Sequence, residues 1–313
     1  MLKRSLLLIL VVMLVFSFAG CNAKSQITEE EKNVEEVIVD EGPYLKYIDG
    51  MDREVIFENE PMTIVSVAPS VTETIFALGA GDKLVGRTDY CDYPSEALDV
   101  ESIGSLQEIN IEKIVELNPD VVLASTHFKK EALDKLTELN IKVAVIISQE
   151  NFDGVYKNIE DIGKIVNKNE EANNLVNDMK NKVNYVKDSV KEIDKKSVYY
   201  VVGYGEYGDF TATGDTFISE ILEIAGGNNV AKDATGWKYS IEKLVEQDPE
   251  IIICENDENT MNGIIEANGY KDLTAVKNGN LFGVDKNMIS RMGPRLADAL
   301  LEVAKVINPE IIK

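Results

Sequence analysis

Residues 109–124, INIEKIVELNPDVVLA, return 130 positions later as residues 239–254, YSIEKLVEQDPEIIIC. Six of the sixteen positions are identical (Ile111/Ile241, Glu112/Glu242, Lys113/Lys243, Val115/Val245, Glu116/Glu246 and Pro119/Pro249), and most others keep their apolar or polar character. Each copy opens on a helix-capping residue, Asn110 or Ser240, and continues as a short amphipathic stretch. A proline then stops the helix, and an apolar run, Val121–Leu123 or Ile251–Ile253, reads as a buried strand. One αβ unit used twice at this distance is too sparse for a solenoid, whose period is ~20–50 residues. It predicts two similar α/β lobes with a cleft between them.

The N-terminus addresses where such a molecule works. Lys3 and Arg4 precede an apolar stretch from Leu6 to Phe16, followed by Ser17-Phe18-Ala19-Gly20-Cys21. A charged start, a short apolar run and small residues describe a secretory leader over residues 1–20, not a membrane span, which needs ~20 apolar residues. The Ala19-Gly20-Cys21 ending resembles a bacterial lipobox, in which the cysteine is lipidated and becomes the mature N-terminus; Phe18 stands where leucine is usual. Residues 21–42 are polar and acidic, the composition of a flexible tether. The expectation is a protein on the extracytoplasmic face of the cell membrane, anchored by lipid at Cys21 and by nothing else.

A net charge of −23 argues against nucleic acid as a partner and favours solubility. Besides Cys21 there are only Cys91 and Cys254, which could pair only if their Cα atoms came within ~7 Å; on separate lobes they are expected as free thiols.

The coarse path begins with a hairpin, Tyr44–Ile48 and Glu54–Glu58, then a strand Thr63–Ala68. Ser70-Val71-Thr72-Glu73 follows with the S-x-x-E spacing of a capping box. The N-terminal lobe is assigned to residues 43–167 and the C-terminal lobe to 196–313. Between them, apolar residues at 172, 175, 176, 179, 183, 186, 190 and 193 keep helical spacing. They predict a stiff linking helix over 168–195, roughly 42 Å long at 1.5 Å per residue.

Taken in order, several segments resemble one family. They are Ile64–Ser70 with Thr72-Glu73, Ala77-Leu78-Gly79, Gly86–Pro94, the two Glu-Lys units, Gly226–Asn229 and Arg291-Met292-Gly293-Pro294-Arg295. The chain is similar to class III substrate-binding proteins of ABC importers, and Asp89-Tyr90-Cys91-Asp92-Tyr93-Pro94 most resembles their cobalamin-binding branch. The resemblance implies two Rossmann-like lobes joined by one long rigid helix, and a monomer that captures a corrinoid or related metal chelate for a permease dimer with its ATPase subunits. A ferric siderophore or haem carrier of an iron importer is the alternative, and an adhesive or structural surface lipoprotein the alternative of another class.

In open α/β sheets ligands gather beyond the carboxyl ends of the strands. The segments there are rich in aromatic residues, which suit a large planar or macrocyclic ligand. The resemblance implies ligand contacts at Tyr90, Leu106, Ser125, Phe210, Trp237 and Arg291. His127, the single histidine, stands either as a surface residue or as an axial ligand to a chelated metal; no direct metal site is expected, and a lone histidine separates the chain from zinc and manganese binders. Arg291 and Arg295 flank a Gly-Pro turn, where a guanidinium could hold an anionic group of a ligand or pair with one of the chain's own acids. Glu112 and Glu242 hold equivalent places in the two copies, and the resemblance implies that they dock onto permease arginines, one lobe per subunit. With one histidine, no Gly-x-Ser-x-Gly and no phosphate-cradling glycine loop, no enzyme and no cofactor are expected.

Overall fold

The computed structural model describes residues 42–125, 128–147, 149–205 and 208–312. The leader, Cys21, most of the tether and His127 lie outside them. The chain enters through a hairpin, β1 (Leu45–Ile48) and β2 (Glu54–Phe57), antiparallel with Leu45 opposite Phe57. Its turn is stitched to the rest of the lobe. The buried Asp49 carboxylate takes the amides of Met51, Arg53 and Val145, and Gly50 donates to the Val145 carbonyl at 2.7 Å. A Cβ on Gly50 would lie 2.5 Å from that of Ile147, so this approach requires glycine.

The N-terminal lobe runs β3 (Ile64–Ser66), α1 (Pro69–Ala77), β4 (Leu84–Arg87), α2 (Ile111–Leu117), β5 (Val121–Ala124), α3 (Lys130–Glu138), β6 (Val143–Val145) and α4 (Phe152–Ile165). The four strands from β3 to β6 are parallel in the order β4-β3-β5-β6. Every residue of β3, β5 and β6 is buried, as a parallel sheet with helices on both faces demands. Asn167, in the left-handed conformation, ends α4, and the Lys168 amide reaches back to the Gly163 carbonyl at 2.7 Å. From there α5 (Asn169–Ser189) crosses between the lobes, burying Ala172, Val176, Met179, Val183 and Val186 against α4 on one side and the last helix on the other. The apolar spacing continues through Ile193, but the helix stops after Ser189. Val190 is buried against Gly226, and the chain turns there into the second lobe.

The C-terminal lobe runs β7 (Lys196–Gly203), β8 (Phe210–Thr211), α6 (Phe217–Ile224), β9 (Gly227–Asn229), α7 (Ile241–Gln247), β10 (Ile251–Glu255), α8 (Glu258–Glu266), α9 (Thr274–Lys277), β11 (Leu281–Val284), α10 (Lys286–Ser290) and α11 (Leu296–Ile307). Its sheet follows β11-β10-β7, with β9 parallel to the start of β7 and β8 antiparallel to its end. One apolar cluster is continuous from Val71 and Ile162 in the first lobe, through Val176 and Met179 of α5, to Leu222, Leu300 and Val303 in the second. Cys91 and Cys254 are free and buried.

The repeated unit has the same structure in both lobes. Asn110 and Ser240 cap α2 and α7 by accepting the amides of Lys113 (3.0 Å) and Lys243 (3.2 Å). Asn118 and Asp248 end them in the left-handed region, at φ 44° and 39°. The next acidic residue ties each unit to the start of the neighbouring strand of its sheet, β3 or β7. Asp120 takes the Thr63 amide and hydroxyl and donates its own amide to that hydroxyl, and Glu250 does the same with Ser197.

The capping box read at Ser70–Glu73 is not formed. Pro69 occupies the first turn of α1, Ala68 caps it without a side-chain bond, and Glu73 points into the protein interior. A buried long-range partner outcompetes the local bond, as described next.

Candidate functional site

A cavity of about 470 Å³ opens between the lobes. The first lobe supplies the ends of its strands: Val67, Ala68 and Pro69 follow β3, Ser125 follows β5 and Ile146 follows β6. Leu106 and Phe128 extend this wall. Opposite stand Phe217 and Ile218 of α6, Trp237, and the Ile289–Met292 turn between α10 and α11. The surface is mainly apolar, so water leaving it favours a ligand with a broad hydrophobic face.

Trp237, the single tryptophan, is set in place by its backbone. It adopts φ 68°, unusual for any side chain and strained for a bulky one. Its amide donates to Thr213 Oγ1 (3.0 Å) and its carbonyl accepts the Thr211 amide (2.8 Å). Thr213 Oγ1 in turn donates to Asp215 Oδ1 (2.5 Å), and the Gly236 amide donates to Asp215 Oδ2 (3.0 Å). The bonds from Thr213 and then Gly236 hold the Asp215 carboxyl below its ordinary range. This frame fixes an indole that stays 40 % exposed at the cavity.

A charge cluster closes one end of the cavity across the lobes. Glu73 on α1, 1 % exposed in its side chain, accepts from Arg291 Nη1 at 2.9 Å and from Arg295 Nε and Nη2 at 2.9 and 2.7 Å. Arg291 also donates to Asp92 Oδ1 (2.6 Å) and to the Tyr90 carbonyl (3.2 Å). The Arg295 guanidinium lies over the Tyr93 ring at 3.9 Å. Burial alone would lower both arginine pKa values; the bonds to Asp92 and Glu73 at Arg291, and to Glu73 at Arg295, outweigh it and raise them. Arg291 in turn pulls the Asp92 carboxyl down.

Of the residues singled out in the sequence, Leu106, Ser125, Trp237 and Arg291 line the cavity. Tyr90 does not: the buried Cys91 is its neighbour, and the tyrosine side is 53 % exposed, contributing its carbonyl to Arg291 instead. Phe210 does not either. It lies on β8 against Gly203, under the Lys238 ammonium, and lines a separate groove with Gly208, Tyr239 and Glu242. His127 lies outside the described residues. Sequence reasoning missed Glu73, Asp92, Thr213 and Asp215. A glutamate inside the otherwise uncharged helix segment PSVTETIFA was the one signal available. No group of three or more His, Cys, Asp or Glu is placed to hold a metal among the described residues. Glu112 and Glu242 are exposed in the first turns of α2 and α7, followed one turn later by Val115 and Val245, each 44 % exposed.

Two α/β lobes, a spanning helix and an apolar interlobe cavity define a solute-binding protein of the class III periplasmic type. The chain belongs to the periplasmic binding protein family, whose model matches residues 64–288. It is 34% identical over 319 residues, 98% of this chain and 96% of the other, to the uncharacterized ABC transporter substrate-binding lipoprotein YvrC of Bacillus subtilis. Two solved structures share the fold. One is a possible iron-binding periplasmic solute-binding protein of Staphylococcus epidermidis, with TM-score 0.70 and 28% identity over 80% of this chain and 99% of that one. The other is the periplasmic vitamin B12 binding protein BtuF of Vibrio cholerae, with TM-score 0.68 and 26% identity over 80% of this chain and 98% of that one.

Proposed function

We propose that the protein is the extracytoplasmic receptor of an ABC importer, that it takes a corrinoid or related metal complex into the interlobe cavity, and that it hands this ligand to a permease dimer. The observation that carries the reading is the apolar cavity bounded by strand ends of one lobe and by Trp237 and the Ile289–Met292 turn of the other. Its walls suit a ligand with a large hydrophobic face, and the likeness to the vitamin B12 binding protein of Vibrio cholerae suggests a corrinoid. An iron chelate is the second reading, favoured by the likeness to the possible iron-binding protein of Staphylococcus epidermidis.

Cys21 would carry the lipid anchor. Glu112 and Glu242, one on each lobe with an exposed valine beside it, would meet the two permease subunits, contributing orientation and on-rate more than affinity. The chain then acts as a carrier and turns over nothing. Titration of the purified protein with cobalamin, cobinamide, haemin and ferric siderophores, followed by calorimetry and absorption spectra, tests this reading. Tight one-to-one binding of one of them is expected. Absence of binding across the panel would instead favour an adhesive surface lipoprotein.

A further inference from the structure

Within the reading that the interlobe cavity is the ligand site, the charges around it say which ligands it accepts. Among the described lining residues only Glu150 and Arg291 are charged. Arg291 is committed elsewhere: Nη1 is bonded to Glu73 and Asp92, and Nη2 to the Tyr90 carbonyl. Arg295 offers no second cation, since Nε and Nη2 are spent on Glu73 and its plane rests on Tyr93, while Asp285 Oδ2 lies 3.9 Å from Nη1. Two guanidiniums therefore meet two carboxylates, Glu73 and Asp92, and their charges cancel.

The neighbouring lysines are also engaged. Lys129, next to the lining residue Phe128, donates to the Gln107 carbonyl at 2.7 Å, and Lys238, next to Trp237, lies over Phe210. Glu150, exposed at the rim, belongs to no ion pair among the described residues. The other polar lining groups, including Ser125 and Asn158, are neutral donors and acceptors. We infer that the cavity selects metal complexes that are uncharged overall and present neutral amide-like groups, and that it rejects polyanionic ones.

The physical reason is desolvation. A carboxylate or catecholate entering an apolar cavity loses its water, and among the described lining residues no unpaired cation replaces it. To recruit Arg291 such a ligand must displace Asp92. The Arg291 guanidinium holds that carboxyl below its ordinary range, and an aspartate parted from it is still ionised at neutral pH, so it leaves as a second unpaired charge. The whole chain, at −23, adds repulsion in the same direction.

The test compares two complexes of one metal by calorimetry on the mature protein: an uncharged ferric tris-hydroxamate and a triply anionic ferric tris-catecholate. Cyanocobalamin, neutral overall, and haemin, with two free carboxylates, are run beside them. The uncharged member of each pair should bind at least ~10-fold more tightly, a difference of about 1.4 kcal/mol. Asp92→Asn, at an exposed position whose folding is checked by circular dichroism, removes one carboxylate charge while keeping an oxygen acceptor, and so leaves the guanidinium pair with a net positive charge. It should narrow the ratio by strengthening the anionic ligand, and Glu150→Gln should act in the same direction. Tighter binding of the tris-catecholate or haemin by the unaltered protein would overturn the inference while leaving the carrier reading intact. An unchanged ratio in Asp92→Asn would overturn the role given to Arg291. Binding of no member of the panel would overturn the carrier reading, and this inference with it.

Discussion

Removing Glu73 should be the most damaging single change near the cavity. Its side chain is 1 % exposed and accepts three charge-assisted hydrogen bonds, from Arg291 Nη1 and from Arg295 Nε and Nη2. Glu73→Ala leaves two guanidiniums, 12 % and 15 % exposed, Arg291 with the half-exposed Asp92 and Arg295 with only Asp285 at 3.9 Å. Breaking a buried pair by deleting one partner costs ~3–5 kcal/mol, because the remaining charge keeps its desolvation penalty and loses its compensation. Against a total stability of about 5–15 kcal/mol for a domain, that is a large fraction. Asp92→Asn removes a half-exposed partner and should cost under ~1 kcal/mol. Urea unfolding at neutral pH, read by far-ultraviolet circular dichroism, measures both. One transition is expected for each variant, since the apolar cluster through α5 is shared by the two lobes. A Glu73→Ala cost below ~1 kcal/mol would mean that both arginines swing into water, and would refute the claim that this cluster binds the lobes together.

Thr213→Val should free the Trp237 backbone, shift and broaden the emission of this lone tryptophan, and weaken ligand binding, while Thr213→Ser restores both; emission unchanged by Thr213→Val would show that the frame does not set the indole. Trp237→Ala itself should cost ~1–3 kcal/mol of binding, measured by calorimetry. Glu112→Ala with Glu242→Ala should leave folding and ligand affinity intact and abolish most uptake in cells; normal uptake would count against docking. Burial, and next in order Lys187 and Asp153 with opposite signs, leaves the Glu220 carboxyl with a raised pKa. A carboxyl raised in the folded state binds protons more strongly than in the unfolded chain. Its contribution therefore opposes folding above the folded value and fades as pH falls toward the ordinary carboxylate range. Glu220→Gln should raise stability at pH 7 and flatten that slope, and a fall in stability at pH 7 would refute the sign.

The repeat, the linking helix and both sheets were legible because each is written in local periodicity. Caps at Asn110 and Ser240, helix ends at Asn118-Pro119 and Asp248-Pro249, and the heptad-like spacing along 172–186 are all decided within a turn or two of chain. The short β8 and β9 were not legible. Phe210-Thr211 and Gly227-Asn228-Asn229 carry no alternation of their own and become strands only because β7 offers them an edge. The strand-end rule found the right loops but not the direction of each side chain within them. Among the residues that the family resemblance implied, Leu106, Ser125, Trp237 and Arg291 border the cavity, whereas Tyr90, beside the buried Cys91, and Phe210, in β8, lie away from it. Glu73 was misread for a related reason. The S-x-x-E spacing is visible over four residues, whereas the arginines that claim Glu73 are 218 and 222 positions away.

What is duplicated and what is not separate the two surfaces of this molecule. The outer units, α2 with β5 and α7 with β10, match in caps, left-handed stops, the acidic anchor to the neighbouring strand, and the exposed Glu-Val pair. Folding alone does not require the exposed part of that match: a first helical turn accepts a carboxylate at several positions, each worth ~0.3–1 kcal/mol. The cavity walls, by contrast, share nothing of the kind. One lobe presents strand ends with Leu106, Phe128 and Ile162; the other presents a fixed tryptophan, helix α6 and a turn whose arginine is already neutralised. A unit repeated on both lobes suits a partner built from two like subunits, and an unsymmetrical cavity suits a ligand with two unlike faces. If that division holds, substitutions at Glu112 and Glu242 should interact in uptake with each other and not with Trp237, whose effect should appear in affinity alone. A double-mutant cycle on uptake and binding, run on the same variants, checks it. Strong coupling between Glu112 and Trp237 in binding would mean that the two surfaces are not separable.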